Sequence, residues 1–287
     1  MCDHDSMDDI VQAEVSRRQF SKVGLGVGFL AALPTVANAA EITESEVTIK
    51  TPDGSCDAHF AHPKAGASAA VLVWPDIFGL RPAFREMGRR LAESGYAVLT
   101  VNPFYRVQKA PTAPVGASFS DPAMREKLMG QMNSLNPTTH TTDAKAFIAW
   151  LDAQKAVDTK RGIGSTGYCM GGQIVFRTAA AVPERVRAGG SFHGGGLTTK
   201  TPESPHLLIP KTKASFLVAI ADNDDKQDPT SKDILRKAFD DAKVPGEVEV
   251  YTGAQHGWCA LDSQVYQPEL ATKAWWRMLA TFGKALA

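Results

Sequence analysis

The chain predicts an α/β fold, a mostly parallel central sheet with helices on both faces. Three observations carry that prediction. Several apolar runs are continuous rather than alternating, as in Ala69–Trp74, Tyr96–Val101 and Ala214–Ala221, which is the pattern of strands buried on both faces. Segments of helical spacing stand between such runs, so strands and helices alternate along most of the chain. Reactive side chains follow the ends of three strands, where open parallel sheets gather their sites.

The N-terminus is read as a targeting segment. A polar stretch, Met1–Val15, leads into Ser16-Arg17-Arg18-Gln19-Phe20-Ser21-Lys22, then the Gly/Ala-rich apolar run Val23–Val36, then Ala37-Asn38-Ala39. A basic region, a short apolar region and a small-residue cleavage site make an export signal, here of the twin-arginine type. The apolar run is too short to span a bilayer comfortably. Cleavage after Ala39 would leave residues 40–287 as one α/β domain, periplasmic or secreted and with no stable membrane anchor.

The whole chain carries 31 basic and 31 acidic side chains; three basic and five acidic ones lie in the signal, leaving 28 and 26. That balance gives no reason to expect nucleic acid or an anionic membrane as partner. Cys56, Cys169 and Cys259 remain after cleavage, and an odd count leaves at least one thiol free. A Cys56–Cys259 disulfide with Cys169 free stays open.

In the mature chain, Glu46–Lys50 and Cys56–His62 read as strands joined by the turn Thr51-Pro52-Asp53-Gly54. The buried strand Ala69–Trp74 follows. Arg81–Ser94 is a helix with Phe84, Met87 and Leu91 on one stripe, stopped by Gly95. After Tyr96–Val101 comes a connection of about forty residues, with a helical insert at Pro122–Met132; a segment of that length is often a lid or binding loop. Thr142–Gln154 is amphipathic through Ala144, Phe147, Ile148 and Leu151. A short strand then enters Gly167, and Gln173–Ala181 is helical. Strands at Ala188–Phe192, Ala214–Ala221 and Glu247–Tyr251, and helices at Ser231–Ala242 and Pro268–Phe282, complete the pattern.

The chemistry centres on Gly167-Tyr168-Cys169-Met170-Gly171, a nucleophile-elbow pattern with Cys at the nucleophile position. Small neighbours let strand and helix pass close by, and the helix N-terminus supplies N–H groups for an oxyanion. An acidic cluster, Asp222 to Asp228, follows the Ala214–Ala221 strand, and His256 follows Glu247–Tyr251 in a small-residue loop. The order nucleophile, acid, histidine is the one an α/β-hydrolase fold requires. Asp224 is the favoured acid, with Asp222 and Asp225 as alternatives, and the rest of the cluster reads as a solvated turn. His193 also follows a strand but precedes the acid, so His256 is the favoured histidine. A calcium loop at Asp222–Asp228 fails, because Lys226 takes a ligand position and the required Gly is missing. His59 and His62 point to opposite faces of a strand and make poor joint ligands. No metal or organic cofactor is expected.

Together, Gly167-Tyr168-Cys169-Met170-Gly171-Gly172, Asp224 with Pro229 behind it, Ala254-Gln255-His256 and Asp76-Ile77-Phe78-Gly79-Leu80 resemble the dienelactone hydrolase family. The resemblance covers nearly all of Glu46–Phe282. It implies a single-domain hydrolase opening enol-lactones with a Cys–His–Asp triad: Cys169 as nucleophile, His256 as acid/base, and Asp224 as its orienting partner. The N–H groups of Ile77 and Met170 would form the oxyanion hole. The family pattern has a Glu that helps switch the thiol on where this chain has Asp76. It also has two arginines for a substrate carboxylate: Arg106 resembles one, and the other would fall at Ala260. The implied substrate is a small ester or lactone. A thiol-based redox protein, with Cys259 as resolving thiol, and a non-catalytic binding protein on the same scaffold are the alternatives.

Overall fold

The continuous apolar runs become the middle of an eight-stranded sheet. The computed structural model describes residues 39–287, and the export signal expected over residues 1–39 lies, but for Ala39, outside them. In chain order the elements are β1 (Ile42–Thr51), β2 (Gly54–Pro63), β3 (Ala70–Trp74), α1 (Pro82–Glu93), β4 (Ala97–Val101), α2 (Pro122–Met132), α3 (Pro137–Asp152) and β5 (Ile163–Tyr168). They continue with α4 (Met170–Ala181), β6 (Val186–Phe192), a 3-10 helix (Pro205–Lys211), β7 (Ser215–Ala221), α5 (Asp222–Gln227), α6 (Ser231–Ala242), β8 (Gly246–Tyr251) and α7 (Pro268–Ala285). The strand order is β1-β2-β4-β3-β5-β6-β7-β8. β1 and β2 pair antiparallel, as do β2 and β4; every other neighbouring pair is parallel.

Period-two alternation along each strand divides the core. Ala70, Leu72 and Trp74 of β3 face a cluster with Phe147 and Leu151 of α3, Val175 and Phe176 of α4, and Phe239 of α6. Val71 and Val73 face the other way, toward Phe84 and Leu91 of α1 and Trp275, Met278 and Phe282 of α7. Both faces of the parallel strands are therefore covered, which is why those runs carry no polar alternation.

Some bounds differ from expectation, β1 beginning at Ile42 rather than Glu46 and α4 at Met170 rather than Gln173. Helix α3 starts at Pro137, five residues before Thr142. The Asn136 side chain accepts hydrogen bonds from the N–H groups of Thr138 (2.9 Å) and Thr139 (3.0 Å), and Thr139 Oγ1 accepts from the Asn136 N–H (2.8 Å). This capping box with Pro in the first turn overrides the weak helix preference of the Thr-rich stretch. The acidic stretch after β7 is the short helix α5 instead of a turn. Cys56 and Cys259 are free thiols, so the disulfide left open above is not formed. They belong to the cores on opposite faces of the sheet, and burial pushes both thiol pKa values up.

The chain leaves β3 for β4 on one side, and β5 pairs with β3 on the other. The crevice outside the carboxyl ends of β3 and β5 is thus the switch point of the sheet, where such folds bind ligands. Among the described residues, no helix is long and apolar enough to cross a membrane.

Candidate active site

β5 ends at Tyr168 and α4 begins at Met170, so Cys169 alone makes the turn, with φ 54° and ψ −118°. A non-Gly residue there stores roughly 1–3 kcal/mol of strain. One buried large apolar side chain contributes about 1.5–3 kcal/mol, so the flanking core can hold the strain in place. The glycines make room for the crossing: a Cβ on Gly171 would lie 2.4 Å from the Trp74 carbonyl oxygen, and one on Gly167 would lie 2.2 Å from that of Gly171. The start of α4 therefore rests on the ends of β3 and β5, with Cys169 half-buried against a small apolar cluster that includes Ile77, Met170, Met124 and Met132.

His256 reaches the site from the loop after β8, which turns through positive φ at Gly253 (81°) and Gly257 (101°). Its N–H donates to Asn223 Oδ1 at 2.8 Å, tying the loop to α5. Helix α5 sorts its own acids: Asp222 pairs with Lys226 at 2.7 Å and Asp225 with Lys232 at 2.8 Å. Asp224 alone turns to the histidine, with 2.8 Å between His256 Nδ1 and Asp224 Oδ2. Burial opposes a charged imidazole here, but Asp224 and the Cys169 side chain outweigh it and push the His256 pKa up to about 10.

That shift fixes the sign of a pH effect. A folded-state pKa raised above the ordinary 6.5 stabilises the fold fully below about pH 6.5, and the contribution disappears as pH rises through about 10. The urea midpoint of the wild type should therefore exceed that of His256→Ala by more at pH 6 than at pH 10.5. An equal gap at both values would mean that the imidazolium is not what the site stabilises.

His193 stands in the same site in another capacity. Its Nδ1 accepts from the Cys169 N–H at 3.1 Å, a donor shared with the Phe192 carbonyl at 3.0 Å. The ring is buried, lies 5.0 Å from the His256 ring, and has a pKa held well below the ordinary value by burial and by the neighbouring His256. It is a neutral ring that braces the Cys169 backbone. Its position directly after β6 is a signal in the sequence, but the bond to Cys169 depends on the pairing of β5 with β6.

Asp76 is placed differently from its expected part in activating the thiol. Its carboxylate is held at both oxygens by Arg81, at 2.6 and 2.9 Å, and also accepts from the Phe78 N–H at 2.9 Å. Arg81 in turn grips Asp262 at 2.7 and 2.9 Å. The effect is to clamp the loop after β3, which carries Ile77, to the loop that follows His256. Ile77 and Met170 pack in one cluster beside Cys169. As the first residue of α4, Met170 has an N–H outside the helical ladder.

Arg106 does not face the site with a free guanidinium. It donates to Asp143 at 2.7 and 2.8 Å and to Asp53 at 2.6 and 3.1 Å. Asp143, which also accepts from the Tyr105 hydroxyl at 2.7 Å, has a side chain only 2% exposed. The geometry gives Arg106 to the protein's own carboxylates rather than to a substrate's. Arg106→Ala would leave Asp143 buried and unpaired, at a cost of about 3–5 kcal/mol. The expected result is a large drop in urea midpoint with equal fractional losses of kcat/KM on a carboxylate-bearing ester and its neutral analogue. A loss confined to the charged ester would return Arg106 to substrate binding.

The chain is similar to known proteins in sequence and in fold. Carboxymethylenebutenolidase of Rhodococcus opacus is 27% identical over 224 residues, which cover 77% of this chain and 83% of the relative. A dienelactone hydrolase-like promiscuous phosphotriesterase from metagenomic libraries superposes with a TM-score of 0.69 at 21% identity, covering 86% of this chain and 99% of that one. The dienelactone hydrolase from Anabaena variabilis superposes with a TM-score of 0.61 at 17% identity, over 86% and 99%. Residues 56–286, from β2 to the end of α7, match the dienelactone hydrolase family throughout. With the switch-point elbow and strands β3 to β8 on that span, the chain belongs to the dienelactone hydrolase family, whose fold is that of the α/β-hydrolases.

Proposed function

We propose that the protein hydrolyses activated carboxylic esters and lactones through a thioacyl intermediate on Cys169. The observation that carries this reading is the line Asp224–His256–Cys169, with its 2.8 Å carboxylate–imidazole contact and a raised imidazole pKa to which the Cys169 side chain contributes. An imidazole held by a carboxylate is the acid–base partner that a thiol nucleophile requires.

The steps balance as follows. The Cys169 sulfur attacks the carbonyl carbon, forming an S–C bond while the carbonyl oxygen takes the electron pair. The Ile77 and Met170 N–H groups receive that oxyanion. Collapse breaks the C–O bond to the leaving group, and His256 gives the departing oxygen its proton; in a lactone this oxygen stays attached through the ring. Water then attacks the thioester with His256 taking its proton, the acid leaves, and the thiolate–imidazolium pair is restored. Asp224 holds the Nδ1 proton and the ring orientation throughout. Asp76, locked to Arg81, shapes the loop that carries Ile77.

The methionines beside Cys169 offer an adaptable apolar wall, which suits a small, largely uncharged substrate body. The twin-arginine sequence supports a periplasmic or secreted enzyme. The direct test is p-nitrophenyl acetate hydrolysis followed by rapid acid quench and peptide mass spectrometry. An acetyl group on the Cys169 peptide is expected; steady turnover with no such adduct, and no loss on thiol alkylation, would reject the covalent mechanism.

A further inference from the structure

Behind Met170 lies a cavity of about 250 Å³ that the mechanism above does not use. It is walled by the end of α2 and the start of α3 (Met132, Leu135, Pro137, His140) and by the first turns of α4 (Met170, Gln173, Ile174). It is smaller than the roughly 300–1,000 Å³ of a site for a whole drug-sized ligand, so it suits one branch of a molecule. Met170, next in sequence to Cys169, is one of its lining residues.

Four polar side chains line it; Asn133 and Asn136 are exposed, which leaves His140 and Gln173 as the less exposed pair. His140 is 5% exposed, yet among the described residues neither ring nitrogen has a hydrogen-bond partner. Buried polar groups are nearly always paired, so such an orphan asks for a ligand. Gln173 accepts from Arg177 through Oε1 at 3.3 Å, which leaves its Nε2 as the free donor. Burial, reinforced by the charges of Arg177 and Arg106, lowers the His140 pKa to about 3, so the ring is neutral under ordinary conditions. It then carries one donor and one acceptor.

Among the described residues, no charged side chain lines the cavity. Arg177 stands behind Gln173 with its NH1 spent on the Glu203 carbonyl at 2.8 Å, and Arg106 is spent on Asp53 and Asp143. A carboxylate buried here would have no direct cationic partner, which disfavours it. A ketone or hydroxyl oxygen would be matched by the imidazole and the carboxamide.

We propose that this cavity is a substrate subsite for an uncharged oxygen function, a ketone or hydroxyl on the acyl chain, hydrogen-bonded by His140 and Gln173. The proposal rests on the ester-hydrolase reading above and deepens it. His140 thereby becomes a specificity-determining residue on a helix that contributes nothing to the triad.

The test compares kcat/KM for p-nitrophenyl 5-oxohexanoate and 6-oxoheptanoate with the plain hexanoate and heptanoate, and with the mono-p-nitrophenyl ester of adipic acid. Wild type should favour at least one oxo ester over its alkyl analogue by about tenfold, the scale of one good hydrogen bond. His140→Phe should bring that ratio close to one, and His140→Gln should retain part of it. Packing damage alone would lower both rates together and leave the ratio in place. An unchanged ratio in His140→Phe, or a wild-type preference for the adipate ester over both oxo esters, would overturn the subsite.

If wild type shows no Cys169-dependent hydrolysis of even the hexanoate, the hydrolase reading fails separately. The subsite is then decided by the His140 imidazole NMR resonances in Cys169→Ala, titrated with 2-heptanone and with heptanoate. Shifts with the ketone alone would uphold it; no shift, or shifts with the carboxylate alone, would reject it.

Discussion

Cys169→Ala is expected to lower kcat/KM for p-nitrophenyl acetate by at least about ten-thousandfold, the scale on which loss of a nucleophile acts. The urea midpoint should hardly change. The thiol is half-buried against a loose, methionine-containing cluster rather than in either main core, and alanine keeps the Cβ that the turn already accommodates. Among the described residues no other thiol can take over: Cys56 and Cys259 are buried in the cores on either face, with their pKa values pushed up. The same burial weakens a redox reading, since a resolving thiol must reach the first one as a thiolate. Near-wild-type turnover in the alanine variant would remove Cys169 from the mechanism.

His256→Ala is expected to cost about 10³- to 10⁴-fold in kcat/KM, the upper part of the range for a general acid–base group. His193→Ala should cost less, on the order of ten- to a hundredfold, as for a misplaced reacting group. The two rings are neighbours, so the contrast isolates their roles. His256 has a carboxylate on Nδ1 and a pKa near 10. His193 is neutral and spends its Nδ1 on the nucleophile's own N–H. His193→Asn is therefore the informative companion, because an amide oxygen can accept the same bond and should restore part of the loss. A dead His193→Ala beside an active His256→Ala would exchange the two assignments.

Much of the fold was legible because the parallel strands are buried on both sides. Continuous runs such as Val71–Trp74 announce themselves, and α2 and α6 fall where their patterns end, at Pro122–Met132 and Ser231–Ala242. The boundaries that were missed depend on polar side chains whose partners are local backbone. The Asn136–Thr139 capping box moved the start of α3, and α5 formed where four acids close together in sequence read as a turn.

Residue type and spacing along one chain are enough for the class of fold, the elbow, and the order of candidate nucleophile, acid and histidine. The tertiary structure decided which groups meet. Asp224 faces His256 because Lys226 and Lys232 hold Asp222 and Asp225 elsewhere. His193 reaches the Cys169 N–H because β6 lies beside β5. Asp76 is bound by Arg81, and Arg106 by Asp53 and Asp143, which lie 53 and 37 residues from it in sequence. A carboxylate and a guanidinium pair by proximity in a medium of low dielectric, and proximity between distant residues is set only when the sheet is assembled.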